Sequence, residues 1–105
     1  MNFQQNLAAM PNIDHLSGLN VLNQQDEIVH HIPAVAGKLG SLRLYNALSE
    51  QFQQQLTAQA ARQGLLWFAE HVADAENNPG KHPNIDLLCD VITHNRHLIL
   101  HPLSR

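Results

Sequence analysis

Phe3, Leu7 and Met10 recur at i, i+4 and i+7, which predicts a short helix that Pro11 stops. After a turn over Asn12 to Gly18 the period falls to two. Leu19, Val21 and Asn23 alternate with Asn20 and Leu22, Asn23-Gln24-Gln25-Asp26 is turn-like, and Glu27 to Ile32 resumes with β-branched residues. That is the pattern of a β-hairpin. On its second strand Ile28, His30 and Ile32 share one face and Val29 and His31 the other. Pro33 is expected to end the ladder, since it has no N–H.

The period then returns to that of a helix. Past the loop Ala34 to Gly40, a helix is predicted from Ser41 to about Gln55, striped by Leu42, Tyr45, Leu48 and Phe52. A second helix is predicted from Thr57, its N-cap, to about Glu76. Ala61, Leu65, Phe68, Val72 and Ala75 make one of its faces, and Leu66, Ala69 and Ala73 widen it, so it should be central. Gly64 inside this helix costs up to ~1 kcal/mol against alanine, which points to close packing against a neighbour. Asn77-Asn78-Pro79-Gly80 closes it. A third helix is predicted from near Asn84 to near Thr93, with Ile85, Leu88 and Ile92 inward. Pro11-Asn12-Ile13-Asp14 and Pro83-Asn84-Ile85-Asp86 echo each other as helical turns opened by an Asn or Asp cap. His97 to His101 alternates like a short strand, which Pro102 should terminate. The fold predicted is α+β: a short N-terminal helix, a β-hairpin, three further helices and a short C-terminal strand. It is read as one compact domain over 1–105, of which 94–105 could form a C-terminal extension.

Composition narrows the classes. The chain is 44% hydrophobic and 14% charged, enough apolar surface to offset ordering entropy. Its longest unbroken apolar run, Leu65 to Ala69, is far short of the ~18–20 residues of a membrane span. The net charge of −3 argues against broad binding to nucleic acid or anionic lipid. One cysteine, Cys89, and a start without the marks of a secretory signal lead us to expect a cytoplasmic protein. Eight histidines, against only two lysines, invite a metal hypothesis.

Two segments could carry chemistry. The first is the junction Gly37-Lys38-Leu39-Gly40-Ser41-Leu42-Arg43, where free N–H groups at a helix start, a hydroxyl and two cations would suit an anion. Lys38, Ser41 and Arg43 are its candidate ligand-binding residues. It is not a Walker A loop, because Leu39 follows the lysine. The same residues also make an ordinary capped turn with solvated charges. The second runs from Glu70 through His71 and Asp74 to His82. His71 and Asp74 are i, i+3 on a helix, and the Pro79-Gly80 turn would return His82 toward them. His71, Asp74 and His82 are thus candidate ligands for a divalent metal, although neither His-Glu-x-x-His nor paired cysteines are present. A solvated helix end with a capped turn is the favoured reading of these residues, and no cofactor is expected. Trp67 lies off the main stripe, so it is read either as core or as part of a subunit interface. His30 and His31 point to opposite faces, one of them toward solvent and the other a hydrogen-bonded histidine beneath a helix.

Gly37-Lys38-Leu39-Gly40-Ser41-Leu42-Arg43 and Gly80-Lys81-His82-Pro83-Asn84-Ile85-Asp86, with Asn12 to Leu16, the hairpin, and Ala69 to Asp74, resemble a small family of bacterial proteins known only as a domain of unknown function. The resemblance runs to about residue 93. It implies a small bacterial cytoplasmic domain and no catalytic residue. The function expected is a small binding or interaction protein, a homodimer or other homo-oligomer, with no nucleic-acid or membrane partner. The alternative is a small enzyme or ligand sensor using the anion loop or the metal site. Convergence of Lys38 and Arg43 with His71 or His82 around one concavity would favour the alternative.

Overall fold

The structure, a computed structural model, describes all 105 residues. Its elements run α1 (Phe3–Ala8), β1 (Leu16–Leu22), β2 (Ile28–Pro33), α2 (Leu39–Gln51), β3 (Gln55–Leu56), α3 (Ala58–Phe68), α4 (His71–Asn77), α5 (Pro83–Thr93) and β4 (Leu98–Ser104). The four strands form one antiparallel sheet in the order β2-β1-β4-β3. No helix is long and apolar enough to cross a membrane. The α+β reading therefore holds, with five helices.

Alternation decides which face of the sheet is covered. Leu19 pairs with Ile32 and Val21 with Leu100, and all four are buried on the helical side. Asn20, His31 and His101 point the other way, where Asn20 Oδ1 meets His31 Nδ1 at 2.7 Å. His30 pairs with Val21 and so faces the helices. Of the adjacent histidines, one is thus exposed and the other sits beneath a helix. α2 lies against the sheet with Leu42, Leu44, Tyr45 and Leu48 fully buried, and α3 packs on α2 and α5.

Three boundaries differ from the sequence reading. α2 starts at Leu39, so Ser41 is a helical residue and Lys38 stands at the N-cap without a side-chain capping bond. α2 also ends at Gln51, because Gln53 and Gln54 turn left-handed (φ 52° and 67°) and lead into β3. The long helix predicted from Thr57 to Glu76 is two. Thr57 does cap α3, accepting from the Ala60 N–H, but Ala69 at φ 53° breaks the helix before α4. Tertiary bonds fix that break: the Glu70 carboxylate accepts from the Phe3 N–H at 2.9 Å, and Asn6 Nδ2 donates to the Trp67 carbonyl at 3.0 Å. Both bonds dock α1 against the α3–α4 corner.

Pro33 ends its strand as expected, whereas Pro102 does not. β2 includes Pro33, paired with Gly18. β4 continues through Pro102, which pairs with Leu19. Leu100 donates its N–H to the Gln54 carbonyl, on the β3 side of β4. Pro102, two residues on, faces the same side beyond the end of β3, where no ladder acceptor is left without a donor. β4 is an interior strand, so Leu98 to Leu100 offers no open edge. The edges are β2 and β3.

Gly64 makes the close approach its position suggested. A Cβ there would stand 2.7 Å from Leu88 Cδ1 and 3.0 Å from Leu48 Cδ1. Trp67 is half-buried against the core, whereas Leu66 is 72% exposed.

Candidate functional site

The two chemistry-bearing segments meet. Lys38 and Ser41 from the start of α2, His71 from α4, and Lys81, His82 and Asn84 from the start of α5 line one cleft of about 450 Å³, floored by Phe3 and Phe68 of α1 and α3. That volume lies within the range of small-molecule sites. Arg43 lies apart. Its guanidinium donates to the carbonyls of Met10 at 2.6 Å and Pro11 at 3.1 Å, tying down the chain that follows α1. Of the three residues expected to hold an anion, the cleft gathers Lys38 and Ser41 and leaves out Arg43.

Local sequence explains why the cleft is rich in donors. Gly37 takes φ 86° immediately before Lys38, a left-handed conformation that glycine reaches without strain. The chain thereby enters α2 with no capping side chain, and the N–H groups of Leu39, Gly40 and Ser41 bond to no protein acceptor. Such N–H groups, with the helix dipole behind them, attract negative charge. α5 begins with Pro83, which has no N–H to satisfy. The cleft wall contains two lysines, two histidines and no Asp or Glu.

Its aromatic groups are fixed by one another. Phe3 stacks on Phe68 with ring centres 5.6 Å apart, and His71 meets Phe3 edge-on at 4.8 Å. The His71 and His82 rings are 5.9 Å apart. His82 Nε2 lies 2.5 Å from Asp74 Oδ2, and Lys81 Nζ is 3.0 Å from the same oxygen. The bonds from His82 and then Lys81 hold the Asp74 carboxyl down at about 2. Asp74 is therefore ionised, and it accepts from an N–H on His82 Nε2.

His71, Asp74 and His82 are neighbours, as the turn at Pro79-Gly80 suggested, but the structure has no grouping of three His, Cys, Asp or Glu side chains able to hold a metal ion. Asp74 Oδ2 already serves His82 and Lys81. Glu70 is bound to the Phe3 N–H, the main cause that lowers its pKa. Cys89 is half-buried, and burial, with the charges of Asp86 and Glu76, pushes its thiol up and keeps it protonated.

Asn84 escaped sequence reasoning. It is not a cap but the second residue of α5, with its side chain turned inward and only 7% exposed. Its Oδ1 meets His30 Nε2 at 2.6 Å, and its backbone carbonyl accepts from the Tyr45 hydroxyl at 2.5 Å. The signal available was a polar residue between Pro83 and the inward Ile85, and the echo with Asn12 disguised it as a cap.

No curated protein and no solved structure matches the chain. A family model does, over nearly its whole length and past the point where the resemblance was read to stop. The chain belongs to the family described as an uncharacterized protein conserved in bacteria (DUF2322), whose model spans residues 3–102 and so takes in β4 as far as Pro102.

Proposed function

We propose that this domain is a small binding protein for an anionic ligand, held in the cleft between α1 and the starts of α2 and α5. The observation that carries the reading is the make-up of that wall: Lys38, Lys81, His71 and His82 line it with no carboxylate among the lining residues, and Asp74, which pairs with Lys81 and His82, lies outside the lining. The unbonded N–H groups at the start of α2 would give direction to the bound oxygens. Binding is favoured over catalysis because His82 hydrogen-bonds only Asp74, and no nucleophile is aligned with it. Calorimetric titration with phosphate tests the reading. The wild type should release or absorb heat on binding, and Lys38→Met with Lys81→Met should abolish it. No heat and no thermal protection by phosphate would sink the proposal.

Self-association is a second reading, favoured by the edge strand β2. Ile28 is 60% and Val29 49% exposed there, and the strand carries no Lys, Asp or Glu to discourage pairing. Two copies meeting at β2 would continue the sheet across a two-fold axis. Analytical ultracentrifugation should show a dimer that Val29→Lys dissociates. A monomer at high micromolar concentration would exclude it.

A further inference from the structure

We infer that the ligand of this cleft is a phosphate monoester, and that Asn84 is the residue that selects it. The inference deepens the anion-binding reading and rests on it. Asn84 is only 7% exposed, and the residue is held at two points, its side chain and its backbone. His30 Nε2 engages Oδ1, and the Tyr45 hydroxyl fixes the backbone at the Asn84 carbonyl. That leaves the Nδ2 amino group. It donates to no protein atom, yet no buried polar side-chain atom of the molecule is both sealed and unpartnered. Nδ2 is therefore not sealed from solvent, and Asn84 is a residue of the cleft wall. An accessible NH₂ with no protein acceptor is free to donate to a ligand.

The donors approach from different sides. The N–H groups of Leu39, Gly40 and Ser41 come from the start of α2, Nδ2 from α5, and the ammonium groups from Lys38 and Lys81. A planar carboxylate offers two oxygens in one plane. A phosphoryl group offers three in a tetrahedral array, enough to meet donors from both helix starts, and its charge suits Lys38 beside the Lys81 that Asp74 already pairs. The cleft, at about 450 Å³, is also larger than a phosphate ion needs, and Phe3 and Phe68 supply an apolar floor for an organic group. A monoester meets both demands, with its phosphoryl end at Asn84 and an apolar or ring-bearing body on the phenylalanines.

The test is calorimetry on the full chain with phenyl phosphate, inorganic phosphate, phenyl sulfate and benzoate. Phenyl phosphate should bind at least about tenfold more tightly than the other three. Asn84→Asp sets an oxygen where the donor stood, keeps the size, and should weaken phenyl phosphate by about a hundredfold. Should that variant fail to fold, the Asn84 side-chain NH₂ signals of the wild type decide the matter, since they should move during a phenyl phosphate titration followed by NMR. Equal affinity for phenyl phosphate and inorganic phosphate, or unmoved NH₂ signals, would overturn the inference while leaving the anion-binding reading intact. Absence of binding by all four probes would end both.

Discussion

Asp74 Oδ2 is shared between His82 Nε2 at 2.5 Å and Lys81 Nζ at 3.0 Å, so one carboxylate oxygen joins the end of α4 to the turn before α5. The two bonds lower its pKa from the ordinary 3.8 to about 2. A depressed carboxyl stabilises the fold above its unfolded value and loses that contribution as pH falls through its folded one. The stability owed to Asp74 should therefore be intact at neutral pH and vanish between about pH 4 and about pH 2. Denaturant midpoints measured across this window should fall less steeply for Asp74→Asn than for the wild type. Parallel curves would show that the pairing contributes nothing. Because Asp74 is at the surface, the difference should shrink with added salt.

Tyr45 is the chain's single tyrosine and is fully buried, with its hydroxyl donated to the Asn84 carbonyl. Burial first, and the neighbouring Cys89 second, push its pKa far above the usual phenol range. Ultraviolet titration should show no phenolate step near pH 10 in the folded protein, only a cooperative appearance of phenolate as alkali unfolds it. Tyr45→Phe leaves that carbonyl without its donor and should cost about 1–3 kcal/mol in urea unfolding.

Gly64→Ala should destabilise the protein although alanine is the better helix former. The propensity gain is at most ~1 kcal/mol, whereas forcing a methyl into a filled core costs roughly 1–3 kcal/mol. The added Cβ would meet Leu88 Cδ1 at 2.7 Å and Leu48 Cδ1 at 3.0 Å, and both leucines are fully buried. A loss of about 1 kcal/mol in urea unfolding is expected, and unchanged stability would mean that the leucines can swing aside.

Arg43 and Lys38, five residues apart, should separate cleanly. Arg43→Met removes two bonds to the carbonyls of Met10 and Pro11 and should lower stability by about 1–3 kcal/mol with phosphate affinity unchanged. Lys38→Met should do the reverse, weakening phosphate with little effect on the unfolding midpoint. Differential scanning fluorimetry with and without phosphate reads both effects, and a loss of phosphate protection in the Arg43 variant would put that residue back in the site.

Local rules carried the sequence reading where a residue's own chemistry decides. The hairpin followed from alternation, the start of α3 from Thr57, and the packing at Gly64 from a glycine where alanine was cheaper. The reading failed where a distant partner decides. Phe68, Val72 and Ala75 keep helical spacing across the break at Ala69, because α3 and α4 bury their apolar sides in the same core. The bonds of Glu70 to Phe3 and of Trp67 to Asn6, 67 and 61 positions away, distinguish two helices from one. The cleft was legible as two separate segments, and their meeting depends on α2 and α5 starting on the same side of the molecule. Asn84 was invisible because its partners His30 and Tyr45 lie 54 and 39 positions upstream.

The place of β4 bears on the order of assembly. β1 and β2 close locally through their short turn, but β1 and β3 join one sheet only when Leu98–Ser104 slides between them. On a ribosome moving from the first codon to the last, the centre of the sheet is thus made after both of its flanks. Until it emerges, Leu19 and Val21 lack the strand that covers the β4 side of β1, and a nascent chain in this interval presents a gap the width of one strand. Chaperone demand should be greatest just before residue 98 is released, and a separate peptide of residues 96–105 should complete a chain cut short at residue 95.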